Sequence, residues 1–145
     1  MDSTHSGLDS PTQSPPAWIR PYLWLPYKDY DCWQLCRLVL EKERGLMLPD
    51  FHEDYERSAD ESLWDERIRD QVGAVVMRER ERWVRVEGTP QPFDLALYQI
   101  RAVRWHLAIV VGGGWALNTN LQKGSHPILL RDKSWAERLE GYYRA

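Results

Sequence analysis

Apolar positions along the chain change their period once, and the change separates a helical first half from a strand-rich second half. Cys32, Leu35, Cys36, Val39 and Leu40 recur at steps of three and one, the spacing of one face of a helix. Asp31 stands before them as an N-cap, charged residues fill Glu41 to Arg44, and Gly45 supplies a stop. These signals predict a first helix over residues 32–44. Residues 49–58 read as a loop. Trp64, Ile68, Val72 and Val75 form a second stripe, which predicts a helix over residues 62–76. The alternating charges of Arg78 to Arg82 are its end or a solvated face.

Past Arg82 the period falls to two and β-formers take over. Strands are predicted at residues 83–86, 94–100 and 105–111. Gly112-Gly113-Gly114 reads as a tight turn into a return strand over 115–118. Residues 127–130 and 139–143 each predict a further strand. Helices first and a strand meander afterwards predict an α+β fold with a largely antiparallel sheet. No internal repeat is visible. Ahead of the first helix, Trp18, Ile19, Tyr22, Leu23 and Trp24 form an aromatic-rich segment, interrupted by Pro21 and closed by Pro26. Residues 1–16 are rich in Ser, Pro and Thr and predict a disordered tail, leaving 17–145 as a single domain.

A length of 145 residues suits one core. Eight Trp and seven Tyr bring much apolar area to it, or to the walls of a cleft. A formal net charge of −3 with interspersed signs argues against a nucleic-acid partner. No apolar run is long enough to insert in a membrane. The N-terminal stretch lacks the basic start and apolar core of a secretory signal, so a cytoplasmic location as synthesised is expected, unless an assembly carries the chain out. Cys32 and Cys36 do not have zinc-site or redox-motif spacing and read as two free thiols. His5, His52 and His126 are scattered, so no metal and no cofactor is expected. No Lys-Ser or Lys-Thr follows the triple glycine, which is therefore not a phosphate loop.

Three residues offer a nucleophilic chemistry. Cys32 falls in the first turn of its helix, where the positive end of the helix dipole favours thiolate over thiol. The competing reading is a small buried apolar residue. His106 opens the apolar run to Val111, and a strand would hold its ring rigidly as base and then acid; otherwise it is a half-exposed strand histidine. Asn118 follows twelve residues later across the glycine turn. A hairpin of that length can bring its amide beside the imidazole and orient it. Asp31 reads as a cap rather than a catalytic acid, because its charge opposes thiolate formation. Cys36, one turn on, reads as core.

Together these residues resemble the NlpC family of papain-like cysteine peptidases. The resemblance lies in Asp31-Cys32-Trp33-Gln34-Leu35 running on to Leu48-Pro49, and in His106 followed by an apolar strand, a glycine turn and Asn118. It spans residues 18–144. It implies a papain-like fold with the nucleophile at the start of a helix packed on the sheet. Cys32, His106 and Asn118 would be catalytic. The activity implied is a cysteine endopeptidase that hydrolyses peptidoglycan stem peptides at the D-glutamyl–diaminopimelate bond. Leu25-Pro26-Tyr27 is similar to a family element whose Tyr lines the cleft and helps position substrate or stabilise the intermediate, which implies that role for Tyr27. Trp33 borders the cleft on the substrate side or packs in the core.

Pro92-Phe93-Asp94-Leu95 is similar to the family's Pro-Gly-Asp-apolar element, with Phe93 in place of Gly. Ala108 replaces a frequent Gly, and the stretch from Tyr27 to Cys32 is short. These departures bear on the shape of the cleft and leave its chemical groups in place. Asp31-Cys32-Trp33 and the ending Leu139 to Arg144 resemble tail-assembly members from phages and prophages. That implies tail-tip partners, with a location in the virion tail and then the host periplasm during infection. A structural tail-tip protein with a residual or infection-only hydrolase site is the alternative, and acyl transfer on the same fold is a third reading.

Overall fold

In the computed structural model, which describes residues 14–50, 66–101 and 104–145, the change of period falls where helices give way to strands. A 3-10 helix, Ala17–Tyr22, precedes α1 (Cys32–Arg44) and α2 (Glu66–Arg80). Then come β1 (Val84–Val86), β2 (Leu95–Arg101), β3 (Arg104–Gly112), β4 (Trp115–Asn120) and β5 (Gly124–Leu129). A one-turn helix α3 (Lys133–Ala136) and β6 (Leu139–Arg144) complete the order. The strands form one sheet, β1-β6-β2-β3-β4-β5, in which every neighbouring pair is antiparallel. The expected α+β architecture, helices on an antiparallel sheet, is the one found.

The tail expected over residues 1–16 lies outside the described residues as far as 13, while Pro15 and Pro16 are half-buried. Pro16 accepts a hydrogen bond from the Ile19 N–H and begins the 3-10 helix. Residues 51–65, including the expected helix start at 62 and Trp64 of its stripe, also lie outside. Within the described part, Val72, Val75 and Val76 of α2 are buried, and the helix runs to Arg80, taking in the first half of the charged run.

Period two on the strands gives the sheet two distinct faces. Leu107, Ile109 and Val111 of β3 and Leu117 of β4 join Leu35, Val39 and Val72 in a core on the helix side. Ala96, Ala108, Val110 and Ala116 face the other way, toward Ile128, Leu130 and the half-buried Trp135 of α3. Ala108, expected as a departure, is thus a fully buried member of a small-residue face. Between β3 and β4, Gly112 pairs with Trp115, so the loop is Gly113-Gly114. Both have positive φ, 64° and 85°, as a two-residue hairpin turn of the mirror-image type requires.

β5 starts at Gly124, three residues before the strand expected at Pro127. Gly, Ser and Pro are poor strand formers, so the pattern hides it; the edge of a sheet tolerates them. Here β5 holds down the chain that leads to α1. Ser125 accepts from the Trp24 N–H through its carbonyl (2.7 Å) and donates its own N–H to the Leu25 carbonyl (3.0 Å). Its hydroxyl accepts from the Leu25 N–H (2.8 Å) and donates to the Tyr22 carbonyl (2.6 Å). Gly124 makes the approach possible: a Cβ there would stand 2.3 Å from the Leu25 oxygen, and φ is +72°.

Phe93 keeps the backbone conformation that a glycine would take, with φ 77°. Such a conformation costs a bulky L-residue roughly 1–2 kcal/mol. Its ring packs 5.2 Å from that of Trp18 and lies under the Arg44 guanidinium at 5.1 Å, contacts that offset part of the strain. Asp94 beside it is buried and accepts from the Gln91 N–H and, in a bidentate pair, from Arg144 at 2.8 and 2.9 Å. The Phe-for-Gly departure therefore leaves the start of β2 intact.

Candidate active site

The sheet is not paired along its whole width. β3 and β4 are bridged at Val110–Ala116 and Ile109–Leu117, and no pair is formed beyond. Past that point β3 stays with β2 as far as Arg104, and β4 stays with β5 as far as Asn120. The two strands part, and backbone groups that a ladder would consume face an opening. The N-terminus of α1 is set against it.

Cys32 is the first residue of α1. Asp31 is fully buried and its carboxylate accepts from the Gln34 N–H at 3.0 Å, so it is the cap that the sequence suggested. The backbone N–H groups of Leu107, from the stretch of β3 that β4 does not pair, of Trp33 and of Cys32 itself act to lower the thiol's pKa. Those three donors favour thiolate, as expected of a helix start. They are outweighed. Burial pushes the thiol from 9.0 up to about 12, and the negative charge of Asp31 adds to the rise. Against the expectation of a helix-activated thiolate, the balance favours the thiol, because Cys32 is only 3% exposed and Asp31 is beside it.

His106 reaches the opening from the other face of the sheet. It pairs with Tyr98 in the β2–β3 register, and its ring lies 5.9 Å from that of Trp135. Its Nε2 is hydrogen-bonded to Oδ1 of Asn118 across the gap between the parted strands. With Asn118 Oδ1 as acceptor, Nε2 carries the ring proton, and Nδ1 is the nitrogen able to exchange a proton with a nucleophile. The hairpin argument from the sequence, twelve residues across a glycine turn, therefore brings the amide to the imidazole.

Tyr27, Cys32, His106 and Asn118 line one pocket of about 110 Å³. Thr119, Asn120, Ile100, Trp105, Val72 and Trp135 complete its wall. Tyr27 is buried, brought there by the chain pinned on β5. Trp33 is not brought there. It is fully buried, stacks on Trp83 at 6.2 Å and donates its indole N–H to the Pro49 carbonyl at 2.9 Å. It points down α1 into the core while Cys32, one residue earlier, points at the sheet opening, so its substrate-side reading does not hold. Cys36 is likewise wholly buried in the core. Among the described residues no group of three His, Cys, Asp or Glu side chains is placed to hold a metal.

Thr119, Asn120 and Trp135 are pocket residues that the sequence reading did not single out. A signal existed for the first two: Asn118-Thr119-Asn120 is a polar triplet ending an otherwise apolar strand. For Trp135, in a charged one-turn helix far along the chain, no local pattern distinguishes it from a core aromatic.

The model of the NlpC/P60 family matches residues 19–144. Among solved structures, the chain is similar to a Staphylococcus aureus protein of the NLP/P60 family described as similar to a lipoprotein. Identity is 19% and the TM-score 0.55, over 93% of this chain and 43% of that one. The chain thus spans less than half the length of that protein. No curated protein matches it.

Proposed function

The chain belongs to the NlpC/P60 family, and from that premise we propose that it is a cysteine peptidase that hydrolyses peptidoglycan stem peptides, at the D-glutamyl–diaminopimelate bond. The observation that carries this reading is the convergence of Cys32, His106 and Asn118 on one pocket, with the His106–Asn118 hydrogen bond in place. In the reaction the Cys32 sulfur attacks the peptide carbonyl carbon while its proton passes to Nδ1 of His106. Asn118 holds the ring and stabilises the imidazolium. The oxyanion is met by the Cys32 N–H and the Tyr27 hydroxyl. Collapse breaks the C–N bond, and the imidazolium proton goes to the departing amine, leaving a thioester. Water then attacks the thioester, giving its proton to His106. The acid is released and the thiol restored.

The experiment is digestion of purified muropeptides by the wild type and by Cys32→Ala, with new amino termini identified by mass spectrometry. A new terminus on diaminopimelate, absent with Cys32→Ala, is the expected result. Unchanged cleavage by Cys32→Ala would overturn the reading. A second setting, assembly into a phage or prophage tail tip, has support only from the resemblance in Asp31-Cys32-Trp33 and Leu139 to Arg144. Co-assembly with tail proteins that persists in Cys32→Ala would support it, and failure to associate with any tail component would count against it.

A further inference from the structure

Thr119 follows Asn118 on β4 and lines the same pocket as Cys32. The two side chains point to opposite faces of the strand. Leu117 pairs with Ile109 in the helix-side core, and Thr119, two residues on, shares that face with Cys32. Asn118 lies on the face of His106. The pocket therefore wraps round the open margin of β4, with the imidazole and amide on one side and the thiol and Thr119 on the other.

Thr119 is 1% exposed, and its hydroxyl oxygen is buried without a hydrogen-bond partner among the described residues. A desolvated hydroxyl with no partner is unfavourable, and the isosteric valine would fill the same place in a strand without that penalty. The neighbouring Asn118 Nδ2 is also buried and unpartnered. The Thr119 hydroxyl can donate, so on its own side of the pocket it is matched to an acceptor oxygen. No Lys or Arg lines the pocket among the described residues, which favours a neutral carbonyl over a carboxylate.

We propose that Thr119 is a substrate-binding residue whose hydroxyl donates a hydrogen bond to a carbonyl oxygen of the peptide presented to Cys32. This rests on the cysteine-peptidase reading above. Ground-state and transition-state complexes both make the bond, so its loss falls on KM more than on kcat.

The test uses Thr119→Val and Thr119→Ser. With muropeptide substrate, Thr119→Val lowers kcat/KM about tenfold, mostly through KM, while its melting temperature equals or exceeds that of the wild type. Thr119→Ser restores kcat/KM to within about threefold. A merely structural hydroxyl would lose stability and activity together, or neither. A second arm needs no hydrolysis: the rate at which Cys32 is alkylated by iodoacetamide, which carries an amide carbonyl, against iodoethane, which carries no acceptor oxygen. Thr119→Val lowers the first rate severalfold and leaves the second unchanged. Wild-type kcat/KM in Thr119→Val, while Cys32→Ala is inactive, overturns the Thr119 proposal alone. If the wild type cleaves no muropeptide, the peptidase reading falls, and an unchanged ratio of the two modification rates then overturns the Thr119 proposal as well.

Discussion

Cys32 rests as a thiol, and its reactivity with a simple alkylating agent should say so. A thiol titrating at 9.0 is about one-tenth thiolate at pH 8, whereas one pushed up to about 12 is about one ten-thousandth thiolate. Since only the thiolate is alkylated, Cys32 should react with iodoacetamide on the order of a thousandfold more slowly than a small free thiol at that pH. The logarithm of the rate should climb with unit slope from pH 7 through 10 without a plateau. A Cys36→Ala background makes the label report on Cys32 alone. Asp31→Asn is the informative perturbation. It removes the buried negative charge that raises the thiol, and Asn remains a good N-cap, so α1 keeps its start. Losing a like charge at that range is worth about one pKa unit, so alkylation at fixed pH should accelerate about tenfold. A plateau near neutral pH in the wild type would mean a standing thiolate–imidazolium pair and would refute the reasoning. So would an Asp31→Asn variant that reacts no faster.

Three further outcomes follow from the structure. Gly124→Ala should cost about 3 kcal/mol in urea unfolding, from a positive-φ alanine and the loss of bonds between Ser125 and the chain at 22–25. KM should rise because Tyr27 is no longer held, and a wild-type midpoint would refute the clip. Arg144→Ala strips the buried Asp94 of its bidentate partner and should cost about 1–3 kcal/mol, measured by the same unfolding, with part recovered when Asp94 is also made Ala. Alkaline stability has a definite sign. The folded Cys32 and Tyr22 groups titrate near 12, above their unfolded values of 9.0 and 10.0, so their contribution is whole below pH 9 and is lost as pH rises toward 12. The urea midpoint should be flat from pH 7 to 9 and fall above it, less steeply in Tyr22→Phe.

The parts of the site legible from the sequence are those fixed by local geometry. A capped helix start places Cys32, and a hairpin of fixed length places Asn118 against His106, because strand register converts sequence distance into space. Trp33 was ambiguous for the same reason. Helix geometry says that it points about 100° away from Cys32, but which of the two faces the cleft depends on where the sheet lies. The thiol's protonation is not legible in the sequence, because the helix terminus is visible there while burial is not. Backbone N–H groups of the helix start and of β3 do lower the thiol's pKa, yet desolvation of the buried sulfur outweighs them.

The least legible feature is the one on which the arrangement depends. An apolar strand, a glycine turn and a return strand predict a ladder running the whole length of the hairpin. Such a ladder would pair His106 with Asn120 and consume the Leu107 N–H, and α1 would meet a closed sheet with Cys32 on one face and His106 on the other. The observed ladder stops at Ile109 and Leu117. Only through that opening can a thiol from the helix layer and an imidazole from the far face line one pocket. The polar triplet Asn118-Thr119-Asn120 marks the place in hindsight. A paired strand with its core face buried has no use for a threonine hydroxyl, and a strand margin that forms a pocket wall does. The placement of Asn118 against His106 is thus written in the hairpin, while the pocket around them depends on helix, strand and pinned loop meeting from distant parts of the chain.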